Sequence, residues 1–188
     1  LNEDGIFCGG DEKTLKRRVF NPNIPSEEVF TSPKAGSAEG VVYATKPLSY
    51  QGELIENFSV RFENGKVTEV TAEKGEELLK QMVSMDEGAG MLGECALIPF
   101  DSPINNSGIL FYNTLFDENA SCHLALGHGF NECLKGYENY TNEECKERGI
   151  NDSMIHVDFM IGARDMSIVG ITKSGEKVEI FKDGNWAF

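Results

Sequence analysis

The sequence contains no apolar run long enough to cross a bilayer and no signal-peptide pattern at its start, so we expect no membrane partner and no secretion. Its five cysteines include no Cys-x-x-Cys pair, which argues against a structural zinc site built from thiolates. Scattered, odd-numbered cysteines without a secretion signal are typical of a reducing compartment. We therefore expect a cytoplasmic location.

Basic residues are also scarce. The chain has 17 Lys and Arg against 31 Asp and Glu, for a net charge of −14. Proteins that bind nucleic acid need a concentration of cations to contact phosphates, so this balance argues against a nucleic-acid partner. The one basic cluster, "KTLKRR" at 13–18, is short, and we predict that it is a solvated loop.

What is present is enough for one sizeable domain of 188 residues, with 40% hydrophobic residues and 12 Phe. Short strands and clear turns dominate. "VRFENGKVTEV" alternates about Asn64-Gly65, a type I′ hairpin signal, and the C-terminal stretch turns at Ser174-Gly175 and Asp183-Gly184. "GVVYAT" at 40–45 predicts another strand.

Helices are few in this pattern. Leu78, Leu79, Met82 and Val83 have helical spacing, and Thr141-x-x-Glu144 is a capping box for a second short helix that stops at Gly149. The prediction is an α+β fold, strand-rich, with mixed or antiparallel sheets, hairpins and a few short helices.

Only three histidines occur, and His156 lies in the unusual segment "MIHVDFMIGA". On a strand, His156 and Asp158 point to one face, while Ile155, Val157 and Phe159 point to the core. A buried imidazole beside a buried carboxylate must be satisfied, either by a mutual hydrogen-bond network or by a metal ion. The segment alone leaves both open.

Other polar residues that lie beside apolar segments could likewise have a structural role or be exposed. His123 could be a core or capping histidine that opens a helix with Leu124, Leu126 and Phe130 as packing residues. Glu94, at the mouth of an apolar strand, could be exposed. Glu27 and Glu28 could belong to a solvated loop, although both cannot face water if the chain is extended there.

Several long motifs in register connect these residues. "NPNIPSEEVFTSP", "EKGEE", "LGECALIPFDSPI", "SGILFYNTLFDENASCHLALG" and "HVDFMIG" together resemble the C-terminal catalytic half of the thermophilic metalloaminopeptidases, the aminopeptidase T, S and II family. The resemblance covers nearly the whole chain. It implies that residues 1–188 form the C-terminal, metal-binding catalytic domain of a longer enzyme whose N-terminal domain is absent here, and that the enzyme is a homodimer.

The resemblance also implies a pair of divalent metal ions held by five side chains. These candidate ligands are Glu28, Glu94, His123, His156 and Asp158. Glu94 would bridge the two ions, Glu27 would be an outer acid, and Glu118 would be a further ligand or a proton-handling group.

Such oxygen and nitrogen ligands suit zinc, cobalt, manganese or magnesium. The ions would lower the pKa of a water molecule and polarise the scissile carbonyl, so that the water hydrolyses the first peptide bond after a free N-terminus.

One departure from the family pattern bears on activity. The family has a tyrosine where this chain has Phe130, and a lost oxyanion donor typically costs about 10²–10³ in rate. Tyr137, Tyr140 or His128 could replace it.

Two alternatives to the aminopeptidase hypothesis therefore stand. One is a metal-binding scaffold domain without catalytic activity. The other is a strand-rich interaction domain with surface acids.

Overall fold

The computed structural model describes residues 1–14 and 16–188 and confirms the α+β prediction. Every strand pair in the described residues is antiparallel, so of the two predicted kinds of sheet the antiparallel one is found. The strands are β1 (Glu12–Lys13), β2 (Val19–Phe20), β3 (Val29–Thr31), β4 (Gly40–Tyr43), β5 (Leu48–Tyr50), β6 (Glu53–Glu63), β7 (Lys66–Lys74), β8 (Leu92–Leu97), β9 (His123–Gly127), β10 (His156–Met160), β11 (Ile168–Ile171), β12 (Lys177–Lys182) and β13 (Asn185–Trp186). The helices are α1 (Glu76–Val83), α2 (Pro103–Asn106), α3 (Thr114–Asp117) and α4 (Asn142–Glu147), with single 3₁₀ turns at Glu118–Ala120, Asn131–Cys133 and Tyr137–Asn139.

Four strands in the order β10-β9-β8-β3 form the sheet that matters most for function, called here the site sheet. One face packs against the long hairpin of β6 and β7 through a shared apolar core. Phe159 of β10 meets Phe58 of β6 with ring centroids 5.7 Å apart. Because side chains alternate along each strand, the opposite face of the same strands is free to carry polar groups.

The predicted hairpin between β6 and β7 is confirmed. Asn64 and Gly65 have φ of 50° and 77°, the left-handed pair that a type I′ turn requires. Helix α1 follows β7 and buries Leu79 and Met82 against this hairpin, as its helical spacing predicts.

The two remaining turn predictions fall between strands of a third sheet, ordered β11-β12-β13, whose Phe181 is fully buried. Asp183 and Gly184 both have positive φ in its tight second turn. The capping box of α4 is also present, because the Thr141 hydroxyl accepts from Glu144 N–H and the Glu144 carboxylate accepts from Thr141 N–H.

The basic cluster lies at the β1–β2 hairpin, where its described residues are exposed as predicted. Lys13 is part of β1 rather than of a loop, and Leu15 lies outside the described residues. In the described part of the chain, no helix has the length and apolar character that crossing a membrane requires.

Candidate metal centre

All five predicted ligands lie on or beside the site sheet. His156 and Asp158 are on β10, His123 begins β9, Glu94 is on β8, and Glu28 immediately precedes β3. The helix suggested as an alternative for residues after His123 is wrong, since that segment is the strand β9 and pairs on both sides with β8 and β10. A central strand of a packed sheet is buried, and the apolar side chains of this segment suit that position.

Strand register brings the acids onto one face. Glu94 and Asp158 both pair with Ala125, the residue at the centre of β9, and are its neighbours on either side. Side chains of directly paired residues lie about 4.5–5.5 Å apart at Cβ, and alanine leaves the space above it open. His123 is two residues from Ala125, so it points into the same space.

A β-bulge at Gly93 places Glu94 on that face. Leu92 pairs with Leu126 on the core side, whereas Glu94 pairs with Ala125 on the site side, although residues two apart on a regular strand share a face. A Cβ on Gly93 would collide with His128 O and Gly127 O. Only glycine fits, and a glycine inside a strand pattern is the sequence signal that could have predicted this bulge.

Two overlapping groups of donor atoms result. Glu28, Glu94 and His123 form one, and Glu94, His156 and Asp158 form the other; within each group the donor atoms lie within 4.8 Å of one another. His156 Nε2 is 3.1 Å from Glu94 Oε2 and 3.2 Å from Asp158 Oδ1, while His123 Nε2 is 3.3 Å from Glu28 Oε2. Glu94 belongs to both groups, with one oxygen near each histidine.

Backbone carbonyls fix both imidazoles. His123 Nδ1 donates to Glu118 O at 2.9 Å, and His156 Nδ1 donates to His128 O at 2.7 Å. Donation through Nδ1 leaves Nε2 as the acceptor that a metal ion needs, and such an outer hydrogen bond orients the ring. These carbonyl partners were not foreseen, because a backbone contact across the fold leaves no mark in the residue types.

The centre is buried and strongly polar. Glu94, His123 and Asp158 are at most 5% exposed, and Glu28 Oε2 and Asp158 Oδ1 are buried without a hydrogen-bond partner. A buried carboxylate oxygen with no donor is costly, and a cation satisfies it. The donor set and these two unsatisfied atoms therefore fit a divalent metal ion.

In the metal-free state, charges in the centre shift one another's pKa values. Burial alone would lower the pKa of His156, but its contacts with Asp158 and Glu94 raise it to about 10. Burial likewise opposes the charged form of His123, and the surrounding carboxylates outweigh it and raise its pKa well above the usual value. Burial would raise the pKa of Glu94, but the two histidines lower it.

Glu118, the predicted proton-handling group, lies on the 3₁₀ turn that precedes β9 and is 7% exposed. Burial, followed by the charges of Asp158 and Glu28, raises its pKa to about 8. Its Oε1 accepts a hydrogen bond from Asn23 Nδ2 at 2.9 Å. The next residue, Asn119, is fully buried and accepts from the N–H of Glu27, which holds the loop carrying Glu28.

Glu27 and Glu28 face different ways, as an extended segment predicts. The Glu28 side chain is 14% exposed and lines the centre, whereas Glu27 is exposed. Glu94 is buried and not exposed, because it lies within β8 and not at an exposed strand end.

The centre opens into a cleft of about 980 Å³. Phe130 lines it and packs on His156 with ring centroids 4.9 Å apart. Of the two tyrosines predicted as substitutes for the missing phenol, Tyr137 lines this cleft, and Tyr50 lines it as well. His128 lines a different pocket, although its backbone carbonyl orients His156.

Three carboxylates and two imidazoles, buried together on one sheet face and open to a cleft, define a protein of the divalent-metal-binding class. The sequence profile of the family described as thermophilic metalloprotease (M29) matches residues 1–186. The chain belongs to this family.

Named relatives and a solved structure agree. The chain is 55% identical over 183 residues to "Aminopeptidase AmpS" of Bacillus subtilis (strain 168), covering 97% of this chain and 45% of that protein. It is 51% identical over 188 residues to "Aminopeptidase 2" of Geobacillus stearothermophilus, covering 100% and 46%. The solved structure "Wild-type AmpT from Thermus thermophilus" superposes with a TM-score of 0.92 at 44% identity, covering 100% of this chain and 46% of that one. The chain thus spans less than half the length of these relatives.

Proposed function

We propose that this chain is the metal-binding catalytic domain, and the C-terminal half, of a metal-dependent aminopeptidase that releases N-terminal residues from peptides. The observation that carries the proposal is the sharing of Glu94 between two buried donor groups, each with one histidine and one further carboxylate. A single shared carboxylate between two sets of ligands is the arrangement expected of a dinuclear site. The family membership and the names of the relatives support the peptidase activity.

Under this proposal Glu28, Glu94 and His123 would hold one ion, and Glu94, His156 and Asp158 would hold the other. Zinc, cobalt, manganese and magnesium all suit the mixed carboxylate and imidazole donors. Divalent cations held there would supply Lewis-acid polarisation of the scissile carbonyl and would lower the pKa of a water molecule.

The protein's own groups do the rest. Under this proposal Glu118 accepts a proton and returns it to the leaving amine; its burial next to His123 and a pKa that burial raises to about 8 in the metal-free protein support this role. The acidic cleft attracts the positively charged α-ammonium group that distinguishes a peptide's N-terminus. A cleft of about 980 Å³ has room for at least one residue beside the scissile bond.

The peptide partner, the homodimer and the cytoplasmic location are parts of the same proposal. They rest on the resemblance and on the cysteine pattern. The proposal includes no nucleic-acid partner, because the chain has a net charge of −14.

Metal content and hydrolysis test the proposal together. After dialysis against excess zinc or cobalt, mass spectrometry of the protein should find about two ions per chain. Glu94→Gln should lose both ions and Asp158→Asn one, while Glu27→Gln, a matched change at an exposed neighbour, should keep both. The loaded protein should hydrolyse a dipeptide amide with a free amino group and leave its N-acetylated form intact. Absence of retained metal in the wild type would overturn the dinuclear site.

Phe130 also allows a second candidate, a metal-binding domain without catalytic activity. Two ions with no hydrolysis would leave both candidates standing, and a variant at Phe130 then separates them. Phe130→Tyr, which adds one hydroxyl beside His156, should then raise the rate by about 10²–10³ if a missing oxyanion donor is the cause. Phe30→Tyr, a change in the ring that packs edge-on against Phe130, is the matched control and should not raise it.

A further inference from the structure

Two cysteines meet at the wall of the cleft, on segments distant in sequence. Cys8 Sγ and Cys133 Sγ are 3.9 Å apart, and both cysteines are in the thiol state. The two segments are already joined by backbone hydrogen bonds. Ile6 N–H donates to Cys133 O at 2.8 Å, and Cys8 exchanges two hydrogen bonds with Phe30 of β3. The sulfurs are therefore held as neighbours by the fold.

The two thiols differ in access. Cys8 is partly exposed and lines the cleft, whereas Cys133 is buried at 1% exposure behind it. A small reagent entering the cleft reaches Cys8 first. Cys133 is then the only sulfur within 4 Å of Cys8 among the contacts of the described residues.

Their electrostatics follow the same order. The hydrogen bond from the Cys133 thiol stabilises the Cys8 thiolate and lowers the pKa of Cys8, while the pKa of Cys133 is raised. Burial raises the pKa of Cys95, to about 11, and of Cys122 and Cys145. Among the five cysteines, all of them in the described residues, Cys8 has the most thiolate character, and the thiolate is the reactive form.

We propose that Cys8 and Cys133 form an oxidisable dithiol that a hydroperoxide converts to a reversible disulfide. The Cys8 thiolate attacks one peroxide oxygen, the O–O bond breaks, and the products are Cys8 sulfenic acid and hydroxide. The Cys133 sulfur then attacks the sulfenic sulfur, the S–O bond breaks, and the departing hydroxide takes the Cys133 proton as water. In sum, two thiols lose two electrons and two protons, and hydrogen peroxide becomes two waters.

The disulfide acts on the cleft through Phe130. The sulfurs must approach from 3.9 Å to about 2.0 Å, which draws the 3₁₀ turn at Asn131–Cys133 towards the segment around Cys8. Cys133 N–H donates to Phe130 O at 3.1 Å, and the Phe130 ring packs on His156. The disulfide therefore restrains Phe130, the residue of the cleft wall that contacts His156. Disulfides of this kind in reducing compartments are transient and sense oxidants.

Thiol mapping tests the dithiol without any metal or substrate. The metal-free protein is treated with hydrogen peroxide, denatured, alkylated with N-ethylmaleimide and digested without reductant for mass spectrometry. We expect a linked peptide pair containing Cys8 and Cys133, a fall from five alkylated cysteines to three, and an intact mass lower by about 2 Da, since two thiol hydrogens are lost. Dithiothreitol should restore all five.

Variants and hydrogen exchange complete the test. Cys8→Ser should form no link and keep its four thiols, and Cys145→Ser, a change at a buried cysteine elsewhere, should still form the link. Peptides that cover 128–134 should exchange amide hydrogens more slowly after oxidation, because a cross-link suppresses local opening. Five alkylated cysteines after peroxide, or Cys8 sulfinic acid with Cys133 still alkylated, would overturn the proposal.

Discussion

Glu118 illustrates how a single side chain acquires its chemistry from its surroundings. Residue type alone gives a carboxyl that is ionised at neutral pH. Burial on the 3₁₀ turn, together with the nearby charges of Asp158 and Glu28, raises the pKa of Glu118 to about 8. Sequence comparison drew attention to the position, but its protonation depends on neighbours that are far away along the chain.

A pH-dependent stability difference follows for Glu118→Gln. The folded metal-free protein keeps a proton at Glu118 that the unfolded chain releases above its ordinary pKa of 4.5, so wild-type stability falls as pH rises from about 4.5 to about 8 and is constant above that. Gln carries no such proton. Relative to wild type, the variant should therefore gain on the order of 4 kcal/mol between pH 5 and pH 9, since about three pKa units at about 1.4 kcal/mol each lie between pH 5 and the folded pKa of Glu118, measured by urea unfolding of the metal-free proteins.

The same variant should lower any peptidase rate by about 10²–10⁴, because its amide accepts no proton. Glu27→Gln, an exposed carboxyl on the neighbouring loop, is the control and should show neither effect. A stability difference for Glu118→Gln that stays constant across this pH range would contradict the assigned burial effect.

At the scale of secondary-structure elements, the bulge in β8 decides whether Glu94 faces the site. Hairpins and helices can be predicted from the sequence because turn and cap residues act on the backbone close to them. Asn64-Gly65 and the capping box of α4 are examples. The pairing of β8 with β9 and β3 is non-local, and no short pattern specifies which strands become neighbours.

Gly93→Ala should disrupt this element. The added Cβ would collide with the carbonyl oxygens of His128 and Gly127, so the bulge must open or Glu94 must move. We expect a loss of about 3 kcal/mol in the free energy of unfolding and loss of metal binding, measured by urea titration and metal analysis. Gly170→Ala, on β11, is the matched control, because its Cβ would meet only ordinary contacts at 3.6 Å or more. Full metal retention in Gly93→Ala would argue against a role for the bulge.

At the scale of the whole molecule, the proposed metal site would couple ion binding to folding. Its candidate ligands lie on β8, β9 and β10 and just before β3, and they come together only in the folded state, so we expect an ion to bind the native protein and not the unfolded chain. Such binding stabilises the fold by mass action, by about 2.7 kcal/mol at an ion concentration 100 times the dissociation constant.

Chelation should reverse this effect. We expect the melting temperature of the zinc-loaded protein to fall when excess EDTA is added and to recover when zinc is restored, followed by circular dichroism. Glu94→Gln, which lacks the shared ligand, should show little response. An equal response in wild type and Glu94→Gln would place the stabilising ion elsewhere in the molecule.

The sequence by itself determined the local and compositional features of this protein. Turn residues, helix caps and alternation gave the strand-rich α+β class, and the motifs around Glu28, Glu94, His123, His156 and Asp158 gave the family and the candidate ligands. Tertiary structure alone decided that His123 begins a strand and not a helix, and that the bulge at Gly93 turns Glu94 towards Ala125. It also decided that backbone carbonyls orient both imidazoles and that Cys8 meets Cys133. The reason is physical, since periodicity and capping act between residues close in sequence, whereas register, burial and pKa depend on groups that only folding brings into contact.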